Sequence, residues 1–300
     1  MTDAIAAPPS ESAWKHELTD LVRGMSGGLL FGVPLLYTME VWWTGARTSP
    51  QQTATVLAVL SVPAFVLNKT AGFRTSKDVR LVDAAADTIE TLALGMMITA
   101  LVLVLLRQIT TGTPVAAGVG MIVYESIPFC LGVGVARHFL AGSRDGAGGS
   151  GDADAGSADT SASTATADDG LNGTLADLGA TVIGAVFISL SIAPTDEVPM
   201  VAASIGPAWL LVFVAASLLI SYGIVFAAGF SGQDRRQSQE GVLQLPITET
   251  VACYLVALAV ATLMLWLFQR GLQPWTDAVT RVVILGLPAT VGGAAGRLAI

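Results

Sequence analysis

One apolar stretch of the chain reads LLFGVPLLYTMEVWW at residues 29–43. Its polar centre, Thr-Met-Glu-Val at 38–41, returns 157 positions later, from 38 to 195, as Thr-Asp-Glu-Val. The same offset relates two flanking patterns: Leu18-x-Asp20-Leu21 returns as Leu175-x-Asp177-Leu178, and Ala71-Gly72-Phe73 returns as Ala228-Gly229-Phe230. Repetition at a fixed period is the signature of a duplicated structural unit.

Two further patterns recur with two or three residues of slippage. They are Glu90-Thr91, which returns as Glu249-Thr250, and Pro128-x-x-x-Gly132-x-x-x-x-Arg137, which returns as Pro288-x-x-x-Gly292-x-x-x-x-Arg297. The duplication therefore predicts that each half carries an acidic residue, a proline, a glycine and an arginine at matching places.

The composition indicates that the apolar segments of this chain lie in the lipid of a membrane. Hydrophobic residues make up 53% of the chain and charged residues 13%, against about 25% charged residues in soluble domains. The apolar runs are continuous, whereas the strands of a membrane barrel would alternate. A helix needs roughly 20 apolar residues to cross the hydrocarbon core. The sequence predicts an all-α polytopic transmembrane helix bundle with eight spans, at 24–45, 52–73, 84–106, 115–139, 174–194, 205–230, 247–269 and 276–298.

The eight spans fall into two copies of four. Because four is an even number, both copies enter the membrane in the same sense, which makes them parallel repeats. We predict a tail at 1–16, a first repeat at 17–140 and a second at 171–300. The connecting stretch 141–170 is acidic and has no aromatic or large aliphatic residue, so we expect a disordered cytoplasmic linker.

The distribution of basic residues predicts the orientation. If both termini are cytoplasmic, eleven Lys and Arg residues fall on the inner side and three on the outer side: Arg47, Arg107 and Arg270. Cytoplasmic loops normally carry this excess, so we predict a multi-pass protein of the cytoplasmic membrane. Trp42 and Trp43 would then lie at the outer interface, where indole rings are favoured.

Acidic residues near or within the spans are the candidate functional groups. Glu40 and Glu197 are predicted near the outer ends of spans, Glu90 and Glu249 near the inner ends, and Glu125 near the middle of a span. A charge at the bilayer centre costs roughly 2.5–3.5 kcal/mol on insertion scales. One interpretation is two rings of acid that attract and pass a small cation or proton. The alternative is ordinary solvation at the interface.

A possible ion pair and two prolines within the spans each allow two interpretations. Glu125 could form an interhelical ion pair with Arg281, or Arg281 could instead extend to the interface. Pro128 and Pro288 each free a backbone carbonyl one turn earlier. With Gly132 and Gly292 after them, they fit either a broken helix that lines a cavity or tight packing of small residues.

The sequence contains no motif for catalysis, metal or a cofactor. It has no His-Glu-x-x-His, no Gly-x-Ser-x-Gly and no phosphate-binding glycine loop, and no basic tract for nucleic acid. We therefore expect no enzyme activity, no cofactor and no metal site. The leading hypothesis is a transporter or channel for a small cation, with coupling to protons as an option. The alternative is a non-transporting membrane scaffold or sensor, and the oligomeric state stays open.

A family resemblance is carried by LLFGVPLLYTMEVWW (29–43), AGFR (71–74) and SIPFCLGVGVAR (126–137). With these motifs the chain resembles the uncharacterised prokaryotic integral membrane proteins grouped as domain of unknown function 2391. The resemblance covers most of the chain except the tail and the linker. The resemblance implies a polytopic membrane protein. It implies no established activity, so no functional residues can be carried over from it.

Overall fold

The computed structural model describes residues 11–70, 81–139, 167–228, 245–270 and 274–298, which form helices and turns without any strand. The prediction of an all-α protein is confirmed for these residues. In chain order the helices are α1 (Glu11–Leu36), α2 (Met39–Arg47), α3 (Pro50–Thr70), α4 (Leu81–Leu105), α5 (Val115–Phe139), α6 (Ala167–Ile192), α7 (Glu197–Ser204), α8 (Pro207–Tyr222), α9 (Pro246–Leu267) and α10 (Trp275–Leu298). A π-helical turn, Gly223–Ala227, extends α8.

Five helices in the described part of the chain are long and apolar enough to cross a membrane: α4, α5, α8 with its π-helical turn, α9 and α10. Two bent pairs, α1 with α2 and α6 with α7, bring the number to seven if each pair is one span. Helix α3 has 21 residues, but its last four side chains lie outside the described residues. The residues that the structure describes thus contain five to seven candidate membrane spans.

The first predicted span, 24–45, is wrong as a continuous helix. Helix α1 ends at Leu36 and α2 begins at Met39, with a bend of 95° between them. Thr38 has an extended backbone, with φ −141° and ψ 96°, and its hydroxyl donates to the carbonyl of Leu35 at 3.0 Å. A helix that ends inside an apolar bundle leaves carbonyls without partners, and this side chain satisfies one of them.

A second break follows the fifth predicted span, 174–194. Helices α6 and α7 meet at 88°, and α7 is a helix that the sequence did not predict. Pro194 lies between them and has no N–H to continue the helical ladder. The hydroxyl of Thr195 donates to the carbonyl of Ile192 at 2.7 Å, the same bond that Thr38 forms in the first break.

Parts of the predicted tail and of the predicted linker are helical in the structure. Helix α1 begins at Glu11, inside the predicted tail, and α6 begins at Ala167, so the final residues of the predicted linker are helical. Residues 141–166, where disorder was predicted, lie outside the described residues, as do the inner-side basic residues in 71–80 and 229–244.

Helices α5 and α10 are the central helices of their halves. Helix α5 packs against α1, α2, α3 and α4, and α10 packs against α6, α7, α8 and α9. The halves meet where α1 contacts α10 and the π-helical turn. A single connected hydrophobic core includes residues from both halves, so the two halves form one bundle.

Glycine allows the main helix pairs to approach closely. A Cβ added to Gly27 or Gly132 would lie under 3.0 Å from the backbone of the other glycine, where α1 crosses α5. The same holds for Gly184 and Gly292, where α6 crosses α10. In lipid, helices associate through such close packing, since lipid tails are as apolar as the side chains. The interpretation of Gly132 and Gly292 as packing residues is therefore supported.

The two neighbouring tryptophans of α2 have different surroundings. Trp43 is half exposed, as expected for the interface, but Trp42 is 1% exposed and lies in the core. Its indole N–H donates to the carbonyl of Leu36 at 2.8 Å. Trp42 therefore satisfies a terminal carbonyl of α1 at the break, and its position at the outer interface stays a prediction.

We expect Gly184→Val to destabilise the fold by about 1–3 kcal/mol, the usual cost of overpacking a dense interior, because its Cβ would collide with the backbone at Gly292. The matched control in the same helix is Gly179→Val, since a Cβ at Gly179 meets nothing within 4 Å. Unfolding in mixed micelles of increasing SDS content measures both. Equal losses in the two variants would contradict the packing role.

Candidate functional site

The two helix breaks contact each other. The backbone N–H of Met39, the first residue of α2, donates to Oε1 of Glu197, the first residue of α7, at 3.3 Å. Next to Met39, the hydroxyl of Tyr37 donates to the carbonyl of Ile284 in α10 at 3.0 Å. Both bonds join the first half of the chain to the second. We call Tyr37, Met39, Glu125, Glu197 and Ile284 the break site.

The carbonyl of Ile284 is free because of the proline that follows it by four residues. Pro288 lies inside α10 and has no N–H to donate to the carbonyl one turn earlier. Tyr37 supplies the missing donor, and it is 4% exposed. Pro288 thus frees a carbonyl, as predicted, and a side chain from the first half of the chain donates a hydrogen bond to it.

Glu125 lies on the face of α5 that packs against the first break. Positions four apart lie on one helix face, and its neighbours on that face are Met121, whose backbone contacts Gly45, and Phe129, whose ring contacts Gly32. The two glycines flank the break, Gly32 before it and Gly45 after it. Glu125 is 2% exposed, and its Oε1 has no hydrogen-bond partner among the described residues.

Glu197 is likewise buried at the second break. It is 6% exposed, and while Oε1 accepts from Met39, Oε2 is buried and has no hydrogen-bond partner among the residues that the structure describes. Its repeat counterpart Glu40 is exposed in the first turn of α2. The two repeated acids therefore differ in exposure.

The predicted Glu125–Arg281 ion pair does not form in the structure. Nη1 of Arg281 donates to the carbonyl of Arg270 at 2.5 Å, close to the end of α9 and the beginning of α10. A long cationic side chain can reach the polar end of a bundle from within a span. Arg281 thus caps the neighbouring helix connection, and its extension to the interface stays a prediction.

At the opposite end of the bundle, three repeated residues converge in the second half. Nη2 of Arg297 forms an ion pair with Oε1 of Glu249, and its Nε lies 3.9 Å from Oδ1 of Asp177. The guanidinium also stacks over the ring of Phe226 at 5.5 Å. Arg297 is fully buried, so the carboxylates compensate a charge that lipid would otherwise disfavour. Because this end faces the cytoplasm in the predicted orientation, we call these four residues the inner cluster.

A second buried arginine joins the halves beside the inner cluster. Nη1 of Arg23 pairs with Oδ1 of Asp20 at 2.8 Å, and its Nε donates to the carbonyl of Ala228 at 3.0 Å. Ala228 directly follows the π-helical turn that also contains Phe226. The last carbonyls of a helix have no partner within it, and here the arginine of α1 binds the carbonyl that follows this turn.

The inner acids differ between the halves, as the outer ones do. Glu249 is buried in the inner cluster, whereas its counterpart Glu90 is exposed on α4. The side chain of Arg137, the counterpart of Arg297, lies outside the described residues. The hypothesis of two symmetric acid rings therefore changes: one acid of each repeated pair is exposed, and the other is buried with partners from neighbouring helices.

Sequence reasoning missed Tyr37 and Arg23 as members of these clusters. For Tyr37 a signal existed, because Pro288 predicted a free carbonyl that needed a donor. For Arg23 the signal was its spacing of three residues from Asp20, which places both on one face of a helix. Neither signal identifies a partner in the other half of the chain.

We expect Tyr37→Phe to cost about 0.5–1.5 kcal/mol, the net value of one hydrogen bond. In a Pro288→Ala background the cost should fall, because the new N–H at 288 satisfies the carbonyl of Ile284 itself. A double-mutant cycle, with the free energy of unfolding in mixed micelles as its readout, measures this coupling. The same cost in both backgrounds would show that the proline-freed carbonyl is irrelevant to Tyr37.

We expect Arg297→Met to destabilise the protein by about 3–5 kcal/mol, because it leaves buried carboxylates without a cation. The matched control is Arg270→Met at the other end of the bundle. Arg270 pairs with Asp196 at 2.6 Å, but the two side chains are 28% and 75% exposed, and exposed pairs contribute about 0–1 kcal/mol. Unfolding curves of the two variants that coincide would rule out the structural role of the inner cluster.

Comparison with known proteins agrees with this architecture. The sequence model of the family described as "Putative integral membrane protein (DUF2391)" matches residues 20–300, which include every residue of the break site and the inner cluster. Neither a curated protein nor a solved structure matches the chain. Because the match covers nearly its whole length, the chain belongs to this family of integral membrane proteins.

Proposed function

We propose that this protein transports or conducts a small cation, protons included, through the break site. The proposal includes the full predicted architecture: eight crossings, in two parallel four-helix repeats, with both termini in the cytoplasm. In this arrangement each bent pair is one span and α3 is the eighth. The charge distribution of the sequence supports the orientation.

Matching features of the two halves support the repeats. Each main helix pair within α1–α5 has a counterpart within α6–α10, and the crossing glycines Gly27 and Gly132 correspond to Gly184 and Gly292. Helices α4 and α9 also end alike, with Arg107 and Gln269 at positive φ, 57° and 55°. A duplicated four-crossing unit accounts for all of these likenesses at once.

The observation that carries the transport proposal is a pair of incompletely satisfied buried carboxylates at the helix breaks. Oε1 of Glu125 and Oε2 of Glu197 are buried, and neither has a hydrogen-bond partner among the described residues. Leaving an ionised carboxylate without compensation in a membrane interior is costly. A proton or a small cation would remove that cost, so both groups have the chemistry of an exchangeable binding site.

The breaks supply the other requirement of such a site. Discontinuous helices near the midplane offer helix termini and backbone groups to an ion, and many transporters bind their coupling ions there. Glu40 and Glu90 are exposed, so in this proposal they attract cations at the two surfaces. Glu249 is bound to Arg297 and acts as part of the inner closure of the path.

The test is flux into liposomes that contain the purified protein, followed with dyes for pH and for several mono- and divalent cations. We expect flux above that of empty vesicles, and we expect Glu197→Gln and Glu125→Gln to reduce it to the background. Glu40→Gln is the matched control, because Glu40 occupies the same repeat position as Glu197 but is exposed. It should keep most of the flux.

Two outcomes would contradict the proposal. One is the absence of flux for every ion tested with protein that is folded and monodisperse. The other is equal flux in the wild type and in both buried-carboxylate variants. The second result would place the path outside the break site. The first would favour a non-transporting scaffold or sensor, which the close glycine crossings also fit. In that case a mutational scan read by growth would find Gly184 and Gly292 sensitive, and Glu125 and Glu197 tolerant.

A further inference from the structure

An apolar groove opens between the two halves on the side where α4 faces α8. It has a cavity volume of about 280 Å³ and is lined by α1, α4 and α8 through residues that include Leu29, Ile98, Leu105, Val212, Ala216 and Ile220. The lining is almost entirely apolar. Several of its side chains, such as Leu101 and Val212, are substantially exposed, so the groove opens outward to the surrounding lipid.

A second cavity, whose lining is partly polar, adjoins the apolar groove at one end. Its volume is about 420 Å³, and its lining includes Arg107, Thr110, Thr111 and Trp209. Trp209 and Val104 line both cavities, so the two are adjacent. Arg107 is the one charged residue that lines either of them in the described part of the chain. A long apolar channel therefore ends at a cation flanked by hydroxyl groups.

The junction of the two cavities is held by a defined set of contacts. The indole N–H of Trp209, in the first turn of α8, donates to the carbonyl of Leu105 at the end of α4 at 2.7 Å. The guanidinium of Arg107 stacks over the same indole, 5.5 Å from its centre. Stacking uses the face of the guanidinium and leaves its N–H groups in plane for an anion.

The backbone at Arg107 is also unusual. Its φ is 57°, a left-handed conformation that favours glycine and is uncommon for other residues. At a helix end of this type glycine would relieve the backbone. The counterpart in the second half, Gln269, has φ 55°, so a glutamine is also compatible with this backbone.

We propose that the groove and the adjoining cavity together bind one anionic phospholipid, with an acyl chain in the groove and the phosphate at Arg107. The dimensions fit a lipid of one leaflet. From Trp209 to Ile220 the groove follows α8 for about 16 Å at 1.5 Å per residue, and half of the hydrocarbon core is about 15 Å. The positive charge lies at the end where the headgroup of such a lipid would be.

The geometry favours a lipid over a partner helix. A transmembrane partner would follow the whole hydrophobic thickness, about 30 Å, whereas this groove extends over half of it. A partner helix would also place apolar residues at both ends of its contact, but the groove ends at Arg107 and two threonines. By the predicted orientation the site lies in the outer leaflet.

The experiment uses the full-length protein reconstituted in vesicles of equal parts phosphatidylglycerol and phosphatidylcholine, with native mass spectrometry of the lipids that remain bound. We expect the wild type to retain phosphatidylglycerol in preference to phosphatidylcholine. Arg107→Gln should lose this preference and approach equal retention, because it removes the charge and keeps a residue that the same backbone accepts at Gln269. Arg47→Gln is the matched control, since Arg47 is also an exposed arginine on the predicted outer side but lines neither cavity.

A second variant tests the acyl-chain part of the site with the cation in place. Ala216→Phe puts a ring into the groove and should also abolish the preference. Added glycerophosphoglycerol, which has the headgroup without the chains, should not displace the lipid. The proposal is overturned if Arg107→Gln keeps the wild-type preference, if Arg47→Gln loses as much, if Ala216→Phe retains the lipid, or if the headgroup alone competes.

Discussion

In hydrocarbon every backbone donor and acceptor must find a partner within the protein, because no water is present to supply one. An uninterrupted helix would satisfy its own backbone groups. The two helix breaks of this structure leave carbonyls without a helical partner, and specific side chains donate hydrogen bonds to these carbonyls. Thr38 and Thr195 return to the helix that precedes them, and Trp42 binds the last carbonyl of α1. The sequence segments that contain the breaks therefore also supply the hydrogen-bond donors that stabilise them.

The same constraint explains how the two halves recognise each other. Pro288 leaves a carbonyl open in α10, and the donor comes from Tyr37 in the other half. The π-helical turn leads to the carbonyl of Ala228, and its donor is Arg23, again from the other half. Both contacts are directional and polar, so they fix the register between the halves, which apolar packing in lipid would specify only weakly.

The sequence predicted the helical class and most helices, because long apolar runs in lipid leave few alternatives. It did not predict the break after Leu36, since residues 29–43 are apolar on both sides of Thr38 and hydropathy does not register a bend. It also assigned one role to Glu40 and Glu197, which share a motif. They differ in the structure because burial depends on what the opposite half provides, and Met39 provides a donor only to Glu197. Tertiary context of this kind is invisible in a local pattern.

Buried positive and negative groups lie at different levels of this bundle, and this arrangement affects how a cation could move through it. Buried cations lie at the inner end, where Arg23 and Arg297 are compensated by acids, while incompletely satisfied acidic oxygens lie at the breaks. A cation that moved from the breaks toward the inner end would meet arginines already bound to carboxylates. Because like charges repel each other more strongly in a medium of low dielectric constant, these buried arginines would oppose its passage unless the pairs opened. In the proposed function the inner cluster therefore closes one end of the path, and a cation would reach Glu125 and Glu197 from the end where α2 and α7 lie.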